Sequence, residues 1–464
     1  MAVDINEIER KYNVESVQSG DLKIWPIVRF KIWEELAAKA GRKSRTVKLN
    51  QSTLKIVAKS LFFGLRNWRR FPSSKYWVFT SSGYRKVFCQ KNHDRVTEDL
   101  PDLLQGVMIF ENPVALGKHY SLKSLPHPKN IVSQSFLYLG TFLFSLLYGR
   151  RRIENERFIN QIIKDFEISV NYKSIIARFY GQYFFMKMVL RFKKPKMVFM
   201  VYTASSMGLI KAFKEFDVPV VELQHGVINN LHPAYNQMIQ FSSTFFPDYL
   251  FTYGVHELQY FGMNNYFIKK SNVFPVGYSF IDKYRYQAPR NEEYRKKNYG
   301  SFNRIVAFSF QEPIEDFTFE FLNNVGELDP SILYLIVPRN PDLQSRVSLA
   351  SNIIIERKLN IYDAINMSDI HSTVNSTCAI EALALGKPNV LIDHMGLARS
   401  YYYGIFKDSL SVKFVEPDPK EYYAAIKKPD FPPSERISNE GKVFFEKDFK
   451  KNIIDLLRKL PNIQ

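Results

Sequence analysis

Cysteine is almost absent from this chain, which contains only Cys89 and Cys378 among its 464 residues. The two lie far apart and show no metal-ligand spacing, so a disulfide-stabilised scaffold is excluded. The N-terminal stretch MAVDINEIERKYNVE is charged and lacks the apolar segment of a secretory signal. We therefore expect a cytoplasmic protein in a reducing compartment.

The sequence also lacks an apolar run that is both long and uninterrupted. Its best segment, residues 131–148, has about eighteen residues, which is the lower limit for crossing a bilayer. Five polar side chains between Ser133 and Ser145 weaken insertion further. We interpret the segment as a buried or membrane-grazing helix, with Arg150, Arg151 and Arg152 at the level of lipid headgroups.

Acidic residues are missing from Arg42 to Lys75, which contains ten Lys or Arg residues in a chain of net charge +18. Apolar and aromatic residues recur there at roughly helical spacing. This pattern predicts a basic amphipathic helix attracted to an anionic membrane surface. A solvated basic helix that packs on its own domain is the alternative. Nucleic acid is not expected as a partner, because the sequence contains no recognised nucleic-acid-binding module.

No internal repeat is visible, and short apolar runs alternate with helical patterns along most of the chain. This alternation predicts an α/β fold with two doubly wound, Rossmann-like lobes. The predicted parts are a basic helical region (1–75) belonging to the first lobe, the rest of that lobe (76–290), a second lobe (300–440) and a C-terminal helix (441–464) that crosses back to the first lobe. In such sheets, ligands bind beyond the carboxyl ends of the strands.

The loop and helix NSTCAIEALALGKP follow one predicted strand of the second lobe. Asn375, Ser376 and Thr377 are helix-capping residues, and the helix is predicted to stop at Gly386. A helix N-terminus suits a phosphate group. Capping alone explains one of the three polar residues, but Glu381 has the wrong spacing for a capping box. We expect this carboxylate to bind ribose hydroxyls.

A second polar loop follows the predicted strand VPVVELQ of the first lobe. His225 comes directly after the strand, and Gly226 would permit a tight turn. Imidazole titrates near neutral pH, so His225 is the predicted general base for an acceptor hydroxyl, and as a neutral ring it could equally donate a hydrogen bond to a leaving phosphate. Glu222 is a possible orienting group, although strand alternation can point it to the other face. His232 is a weaker catalytic candidate, since His-Pro also occurs in simple turns.

Other loops offer supporting groups. Ser205 and Ser206 follow the strand MVFMVY and would contact an acceptor or cap a helix, while Gly277 is a possible hinge near the lobe junction. No Asp-x-Asp pair stands at a strand end, where a metal-dependent enzyme would need it. We therefore expect no metal ion and no cofactor besides an activated substrate.

The two motifs together resemble GT-B glycosyltransferases that build bacterial capsules, lipopolysaccharides and wall polymers, a group that includes capsule Kdo transferases and CDP-glycerol glycerophosphotransferases. The resemblance covers roughly residues 197–415. It implies that Ser376 and Thr377 contact donor phosphate and that Glu381 contacts ribose. Where relatives carry His-Pro after an earlier strand, this chain has Arg339 followed by Asn340. Arginine also binds phosphate, but the change leaves CMP, CDP and UDP open as donor nucleotides.

The resemblance implies transfer of a sugar, or a sugar acid such as Kdo, from a nucleotide-linked donor to a lipid-linked oligosaccharide. The enzyme would work peripherally on the inner face of the cytoplasmic membrane. Three alternatives stay open at this point. The chain could instead be a CDP-glycerol-type polyol-phosphate transferase, a UDP-sugar 2-epimerase, or a non-catalytic scaffold of a polysaccharide assembly complex.

Overall fold

The structure, a computed structural model, describes residues 5–39, 60–113, 119–229, 232–310, 314–338, 348–427 and 430–460. The chain forms two compact units. Unit 1 comprises Met1–Thr252, Glu257–Val276 and Lys450–Gln464, and unit 2 comprises Tyr253–His256 and Gly277–Phe449. The lobe boundaries predicted from the sequence, 76–290 and 300–440, are not the same as the bounds of these units, and they stay predictions.

Unit 1 alternates strands with helices along most of its length. Its strands are β1 (Gln18–Ser19), β2 (Leu22–Lys23), β3 (Tyr76–Ser81), β4 (Arg85–Phe88), β5 (Lys91–Asp94), β6 (Val107–Asn112), β7 (Ile131–Ser133), β8 (Met197–Met200), β9 (Val220–Leu223), β10 (Tyr249–Thr252) and β11 (Val273–Pro275). Its helices before unit 2 begins are α1 (Ile5–Lys11), α2 (Trp25–Lys39), α3 (Leu100–Leu103), α4 (Ser135–Tyr148), α5 (Arg157–Asp165), α6 (Tyr172–Phe192) and α7 (Met207–Glu215).

Unit 2 repeats the alternation. Its strands are β12 (Arg304–Ser309), β13 (Ile332–Val337), β14 (Ile353–Ile355), β15 (Ile370–Thr373), β16 (Asn389–Ile392) and β17 (Val412–Val415). Its helices are α8 (Ser279–Tyr299), α9 (Glu315–Gly326), α10 (Ile361–Met367), α11 (Cys378–Ala384), α12 (Leu397–Phe406), α13 (Pro419–Lys427) and α14 (Ser434–Gly441). The last helix, α15 (Phe449–Lys459), begins in unit 2 and continues in unit 1.

Short 3-10 helices lie in many of the connections. They are Val14–Ser16, Leu65–Ser73, Ser82–Tyr84, Leu122–Ser124, Ser243–Phe245, His256–Tyr260, Lys270–Asn272 and His394–Gly396. The second of them, Leu65–Ser73, is the part of the predicted basic amphipathic helix that the structure describes as regular. It is a 3-10 helix with Pro72 inside it, and residues 40–59 of that prediction lie outside the described residues.

Each unit is built on a parallel sheet, and the order of the strands follows the same pattern in both sheets. The strand order is β11-β10-β9-β8-β3-β6-β7 in unit 1 and β14-β13-β12-β15-β16-β17 in unit 2. All neighbouring strands in both sheets are parallel. The first long strand of each unit therefore lies between the second and the fourth strands of its sheet, which is the doubly wound order. The predicted fold class is confirmed.

Two predictions are corrected at this level. The segment that begins at Ile131 is not helical from its start, because Ile131–Ser133 pairs with β6 as an edge strand before α4 begins. The junction left between the two predicted lobes, residues 291–299, does not form a linker, since it belongs to the long helix α8 of unit 2. Within the described ranges, no helix combines the length and apolar character needed to cross a bilayer.

A buried charge cluster fixes the β4–β5 hairpin beside the end of β3. The Arg85 guanidinium donates from Nε to Glu111 Oε2 at 2.6 Å and from Nη1 to Glu98 Oε2 at 3.1 Å. Glu98 Oε2 also accepts from the backbone N–H of Asp94 at 2.6 Å, and the hydroxyl of Thr80 in β3 donates to the Asp94 carboxylate at 2.5 Å. Since all of these side chains are buried, the charges must compensate one another locally.

Replacing Arg85 with Met should lower the free energy of unfolding by about 3–5 kcal/mol, because two buried carboxylates lose their cation. All four tryptophans lie in unit 1, at Trp25, Trp33, Trp68 and Trp77, so tryptophan fluorescence during urea unfolding reports on this unit. The exposed Lys91→Met in the same hairpin is the matched control, with an expected change within about 0.5 kcal/mol. Equal losses in the two variants would contradict the assigned role of the cluster.

Candidate functional site

The strand order of unit 1 creates a crevice at the carboxyl ends of β3 and β8. The connections that leave these two neighbouring strands run in opposite directions along the sheet, so the loops diverge there. Ser81 ends β3 and its hydroxyl accepts a hydrogen bond from the Gly83 N–H at 3.2 Å. On the other side, the loop after β8 leads through Ser205 and Ser206 into α7.

A cavity of about 400 Å³ occupies this crevice. Its polar lining groups are Thr80, Ser81, Tyr84, Asn112, Gln134, Tyr138, Thr141, Arg178, Gln182, Tyr202, Ser205 and Ser206. The Ser206 side chain makes no capping hydrogen bond, although the residue stands at the N-cap position of α7. The Ser205 carbonyl accepts from Gln182 Nε2 at 3.0 Å. The predicted pair of serines is thus brought to the wall of a cavity together with the β3 loop.

His225 stands between two tyrosines that line this cavity. Its ring centroid lies 5.6 Å from that of Tyr84 and 5.7 Å from that of Tyr202, with both rings edge-on to the imidazole. The backbone around it is held by Gln224, whose Nε2 donates to Glu257 Oε1 at 2.8 Å and to the Gly226 carbonyl at 2.9 Å. The strand end β9 therefore presents His225 beside the crevice.

Burial and nearby positive charge keep His225 neutral. Burial lowers the pKa of His225 to about 4, and the charges of His232 and Arg95 act in the same direction. Its Nδ1 is buried without a hydrogen-bond partner in the described part of the chain. A neutral imidazole can accept a proton, which is the chemistry expected of a general base.

Glu222 does not orient His225. Its buried carboxylate accepts hydrogen bonds from the hydroxyl of Tyr235 at 2.8 Å and from the hydroxyl of Thr203. Burial raises the pKa of Glu222 to about 7, while these two hydrogen bonds lower it. The prediction of an orienting role is corrected: the partners of Glu222 come from the loop after β8 and from Tyr235, which local strand alternation does not reveal.

His232 lies in the same neighbourhood, packed among aromatic rings. Its ring centroid is 5.0 Å from that of Tyr235 and 6.4 Å from that of Trp33, and its Nδ1 accepts from the Ala234 N–H at 3.3 Å. Burial lowers the pKa of His232 to about 4. This set of contacts is what a structural histidine makes, and its effect on His225 is electrostatic.

The two glycines named from the sequence, Gly226 and Gly277, differ in whether the backbone requires glycine at their positions. Gly226 lies outside the left-handed region, and an added Cβ would meet no heavy atom within 4 Å, so the turn after His225 does not require glycine. Gly277 has φ +97°, and an added Cβ would lie 2.5 Å from the Glu446 carbonyl oxygen. Glycine is required there, where the chain passes from unit 1 to unit 2. Its hinge role stays a prediction.

Arg178 is a cavity residue that the sequence pattern did not single out. It projects from α6 and lines this cavity as well as a neighbouring one of about 220 Å³ in unit 1. Among the residues that the structure describes, no carboxylate forms an ion pair with its guanidinium, which lies near the Tyr138 side chain. An exposed, unpaired guanidinium on a cavity wall suits a phosphate or carboxylate ligand.

Unit 2 has an equivalent crevice at the carboxyl ends of β12 and β15. Beneath it, the fully buried His371 bridges the sheet, with Nε2 at 2.7 Å from Ser309 Oγ and Nδ1 at 2.6 Å from Asn389 Oδ1. The Thr373 hydroxyl donates to the Ser309 carbonyl at 3.0 Å. These bonds fix the ends of three neighbouring strands, β12, β15 and β16.

Asn375, Ser376 and Thr377 lie on the loop that leaves β15 at this crevice. Ser376 is buried, and its hydroxyl accepts from the Cys378 N–H at 3.4 Å, so it caps the first turn of α11. Thr377 is exposed, and its side chain makes no capping bond. Asn375 is half-buried. As predicted, α11 ends just before Gly386, which has φ +74°.

Glu381 has a structural partner that its local spacing could not show. One carboxylate oxygen accepts from the Tyr362 hydroxyl of α10 at 2.8 Å, and the residue is buried. Its charge, together with burial, raises the pKa of Cys378 to about 12. The argument that Glu381 needs a ligand to explain its position is therefore corrected, and ribose binding by its carboxylate stays a prediction.

Two expectations cannot be followed further in the structure. Arg339 lies outside the described residues, which stop at 338 and resume at 348. Within the described ranges, no group of three or more His, Cys, Asp or Glu side chains is arranged to hold a metal ion. The expectation that no metal is required stays a prediction.

No protein-family model and no curated protein matches the chain. Among solved structures, the glycosyltransferase of kitacinnamycin aligns with 84% of this chain and 100% of its own, at 10% identity and a TM-score of 0.50. That likeness decides the architecture. The chain has the GT-B fold.

Two further solved structures are similar at lower scores. UDP-GlcNAc 2-epimerase from Neisseria meningitidis, bound to UDP-GlcNAc, covers 83% of this chain and 99% of its own, at 14% identity and TM-score 0.48. The wall teichoic acid polymerase TagF covers 90% and 98%, at 10% identity and TM-score 0.48.

The low pKa of His225 can be checked directly by NMR. Because burial opposes protonation, its Cε1–H signal should stay at the neutral position at pH 5.5, well below the ordinary midpoint of about 6.5. His225→Gln assigns the signal by removing it, and the urea-unfolded chain supplies the unshifted reference. A midpoint near 6.5 in the folded protein would contradict the described environment.

Proposed function

We propose that the protein is a glycosyltransferase that moves a sugar from a nucleotide-activated donor to a saccharide acceptor. The acceptor is lipid-linked, and the transferred group is a sugar or a sugar acid such as Kdo. The protein would work on the cytoplasmic face of the membrane in the synthesis of a cell-surface polysaccharide. The neutral His225, held beside a cavity at the switch point of unit 1, is the observation that carries the proposal.

Unit 1 supplies the acceptor side of this proposal. Its cavity has the size and mixed lining of a small-ligand site, with hydroxyl and amide groups that suit a saccharide. Arg178 adds a cation for an acidic sugar or a phosphate of the acceptor. The two tyrosines at His225, Tyr84 and Tyr202, offer ring faces for sugar packing and hydroxyls for hydrogen bonding.

The proposed chemical step uses His225 as the base. As the acceptor oxygen forms its bond to the anomeric carbon, its proton passes to the imidazole. The bond from that carbon to the donor phosphate breaks, and its electron pair leaves with the phosphate. With a base that activates the acceptor directly, inversion at the anomeric carbon is the simpler outcome. An anionic substrate beside His225 would raise its pKa toward neutrality and strengthen it as a base.

Unit 2 supplies the donor side. The exposed Thr377 hydroxyl and the first N–H groups of α11 would contact donor phosphate, with Asn375 beside them. Arg339 would add a fixed positive charge to balance the diphosphate as it leaves. Glu381 would reach the ribose with the carboxylate oxygen that Tyr362 does not hold. The donor nucleotide is CMP, CDP or UDP in this proposal.

A thermal-shift screen with CMP, CDP, UDP and GDP, and with CDP-glycerol, tests the donor site. One of these should raise the melting temperature, because a ligand at 100 times its dissociation constant adds about 2.7 kcal/mol of stability. Thr377→Val and Arg339→Gln should reduce that shift. His225→Gln should keep the shift but lose at least about 100-fold in transfer rate, since it removes the base.

Ser400→Ala is the matched control, because it removes another exposed hydroxyl of unit 2 that bonds only within its own helix. It should leave both the shift and the transfer unchanged. A screen in which no nucleotide shifts the melting temperature would refute the donor site. Full transfer activity in His225→Gln would remove the proposed base. A shift with CDP-glycerol alone would favour polyol-phosphate transfer.

A further inference from the structure

Helix α4 carries a continuous apolar stripe on its exposed side. The exposed residues of the stripe are Tyr138, Leu139, Phe142, Leu143, Leu146, Leu147 and Tyr148. Six of them fall into two rows with a spacing of four residues, 138/142/146 and 139/143/147, so they share one helix face, and Tyr148 ends the helix beside them. Phe142 is 59% and Leu147 is 71% exposed. A surface helix of a globular protein normally turns polar residues outward, and an apolar patch of this extent marks an interaction site.

Close packing on α6 fixes the direction in which the stripe points. A Cβ at Gly140 would lie 2.3 Å from the Phe185 ring, and one at Gly181 would lie 2.1 Å from Ser145 Oγ. The small residues therefore let the two helices approach closely. Because the opposite face of α4 is committed to this contact, the helix cannot rotate its apolar stripe inward without losing it.

The surroundings of the stripe are basic. Arg150, Arg151 and Arg152 follow the C-terminal end of α4, and all are exposed. At its other end, the 3-10 helix Leu65–Ser73 packs against α4 through Trp68 and Phe136, whose ring centroids lie 4.3 Å apart. That 3-10 helix presents the exposed residues Arg66, Arg69 and Arg70.

Helix α6 adds to the same charge. Gly149, directly after α4, adjoins Ala177, whereas Gly140 within α4 adjoins Phe185, so α6 runs antiparallel to α4. Its C-terminal end, with Phe192 at 84% exposure next to Arg191 and followed by two lysines, therefore lies toward the start of α4. The stretches 60–75, 135–152 and 172–196 contain no Asp or Glu at all.

We propose that the α4 stripe docks the protein on an anionic phospholipid leaflet, with α4 lying parallel to the membrane surface. Fourteen residues give a helix of about 21 Å, shorter than the roughly 30 Å hydrocarbon core, so α4 embeds one face and does not span. The apolar stripe enters the acyl boundary, and the basic residues at both ends contact lipid phosphates.

Charge decides between a bilayer and a second copy of this chain as the occupant. Two such faces packed together would bring acid-free, basic surroundings into contact and repel one another. An anionic leaflet complements both features at once, since it offers hydrocarbon to the stripe and phosphate to the arginines.

The docking surface also bears on the acceptor of the proposed reaction. This part of the inference rests on the proposed function. Leu137, Tyr138 and Thr141 of the same helix line the unit 1 cavity. Docking through α4 would therefore hold that cavity next to the lipid headgroups, where the saccharide of a lipid-linked acceptor lies. Arg178 of α6, on the wall of the cavity, would meet the phosphate that joins saccharide to lipid.

An environment-sensitive fluorophore at position 146 tests the docking surface in the full-length protein. Leu146→Cys is labelled in a Cys89→Ser, Cys378→Ala background, so that the label has a single site. Vesicles of phosphatidylcholine with 30% phosphatidylglycerol should shift the emission to the blue and increase it. Lipids that carry a quencher in the acyl chain should quench it. Met263→Cys, at a side chain that is 96% exposed in the same unit, is the matched control and should not respond.

Sedimentation with the same vesicles supplies the second readout. The double variant Phe142→Asp, Leu147→Asp should reduce the bound fraction at least tenfold, while Met263→Asp should not. An unresponsive label at 146, or unchanged sedimentation of the double variant, would overturn the proposal. A wild type that is dimeric without vesicles, and monomeric in the double variant, would assign the face to a second copy.

The donor-site screen separates this proposal from the proposed function. The double variant should keep the full nucleotide-induced shift, because α4 belongs to unit 1 and the proposed donor site to unit 2. If the wild-type protein shows the nucleotide-induced shift but does not bind vesicles, only the docking surface is rejected. Vesicle docking without any nucleotide shift would reject the donor site alone.

Discussion

The order of strands in the two parallel sheets is the constraint on which the rest of the structure depends. In each unit the first long strand, β3 or β12, lies between the second and the fourth strands of its sheet. Right-handed crossovers on the two sides of that strand must then leave in opposite directions, and the loops at its carboxyl end diverge. The cavity of unit 1 and the Ser376–Thr377 loop of unit 2 both lie where this divergence occurs.

Charged side chains inside the units have hydrogen-bond or ion-pair partners, whereas one charged side chain at the unit 1 crevice has no such carboxylate partner among the described residues. Arg85 is buried in ion pairs with Glu98 and Glu111, and the buried His371 is hydrogen-bonded to Ser309 and Asn389, so these interior groups have partners within the fold. At the cavity, by contrast, Arg178 has no carboxylate partner among the described residues. A charged side chain that has no ion-pair partner within the fold is available to bind an oppositely charged group of a substrate. The same holds at the surface, where the arginines near both ends of α4 are available to bind lipid phosphates.

Much of the fold follows from local patterns, because buried parallel strands are short apolar runs between helical segments. The predicted strands MVFMVY and VPVVELQ contain β8 and β9, and the loops predicted to matter lie at strand ends. Partners from distant parts of the chain were not predictable. Glu381 meets Tyr362, and Glu222 meets Tyr235, through folding that a local pattern does not encode. Tyr84 and Tyr202 lie just after the ends of β3 and β8, but nothing in their local spacing connects them to His225.

The account divides the two substrates between the units, with donor nucleotide at the β12–β15 crevice and acceptor in the unit 1 cavity. Hydrogen–deuterium exchange with saturating nucleotide tests this division most directly. Amides from Val374 to Glu381 should become protected, because the loop and the first turn of α11 would bind phosphate and ribose, while Ser81 to Tyr84 should exchange as before. Protection centred on Ser81 to Tyr84, with none from Val374 to Glu381, would contradict the account.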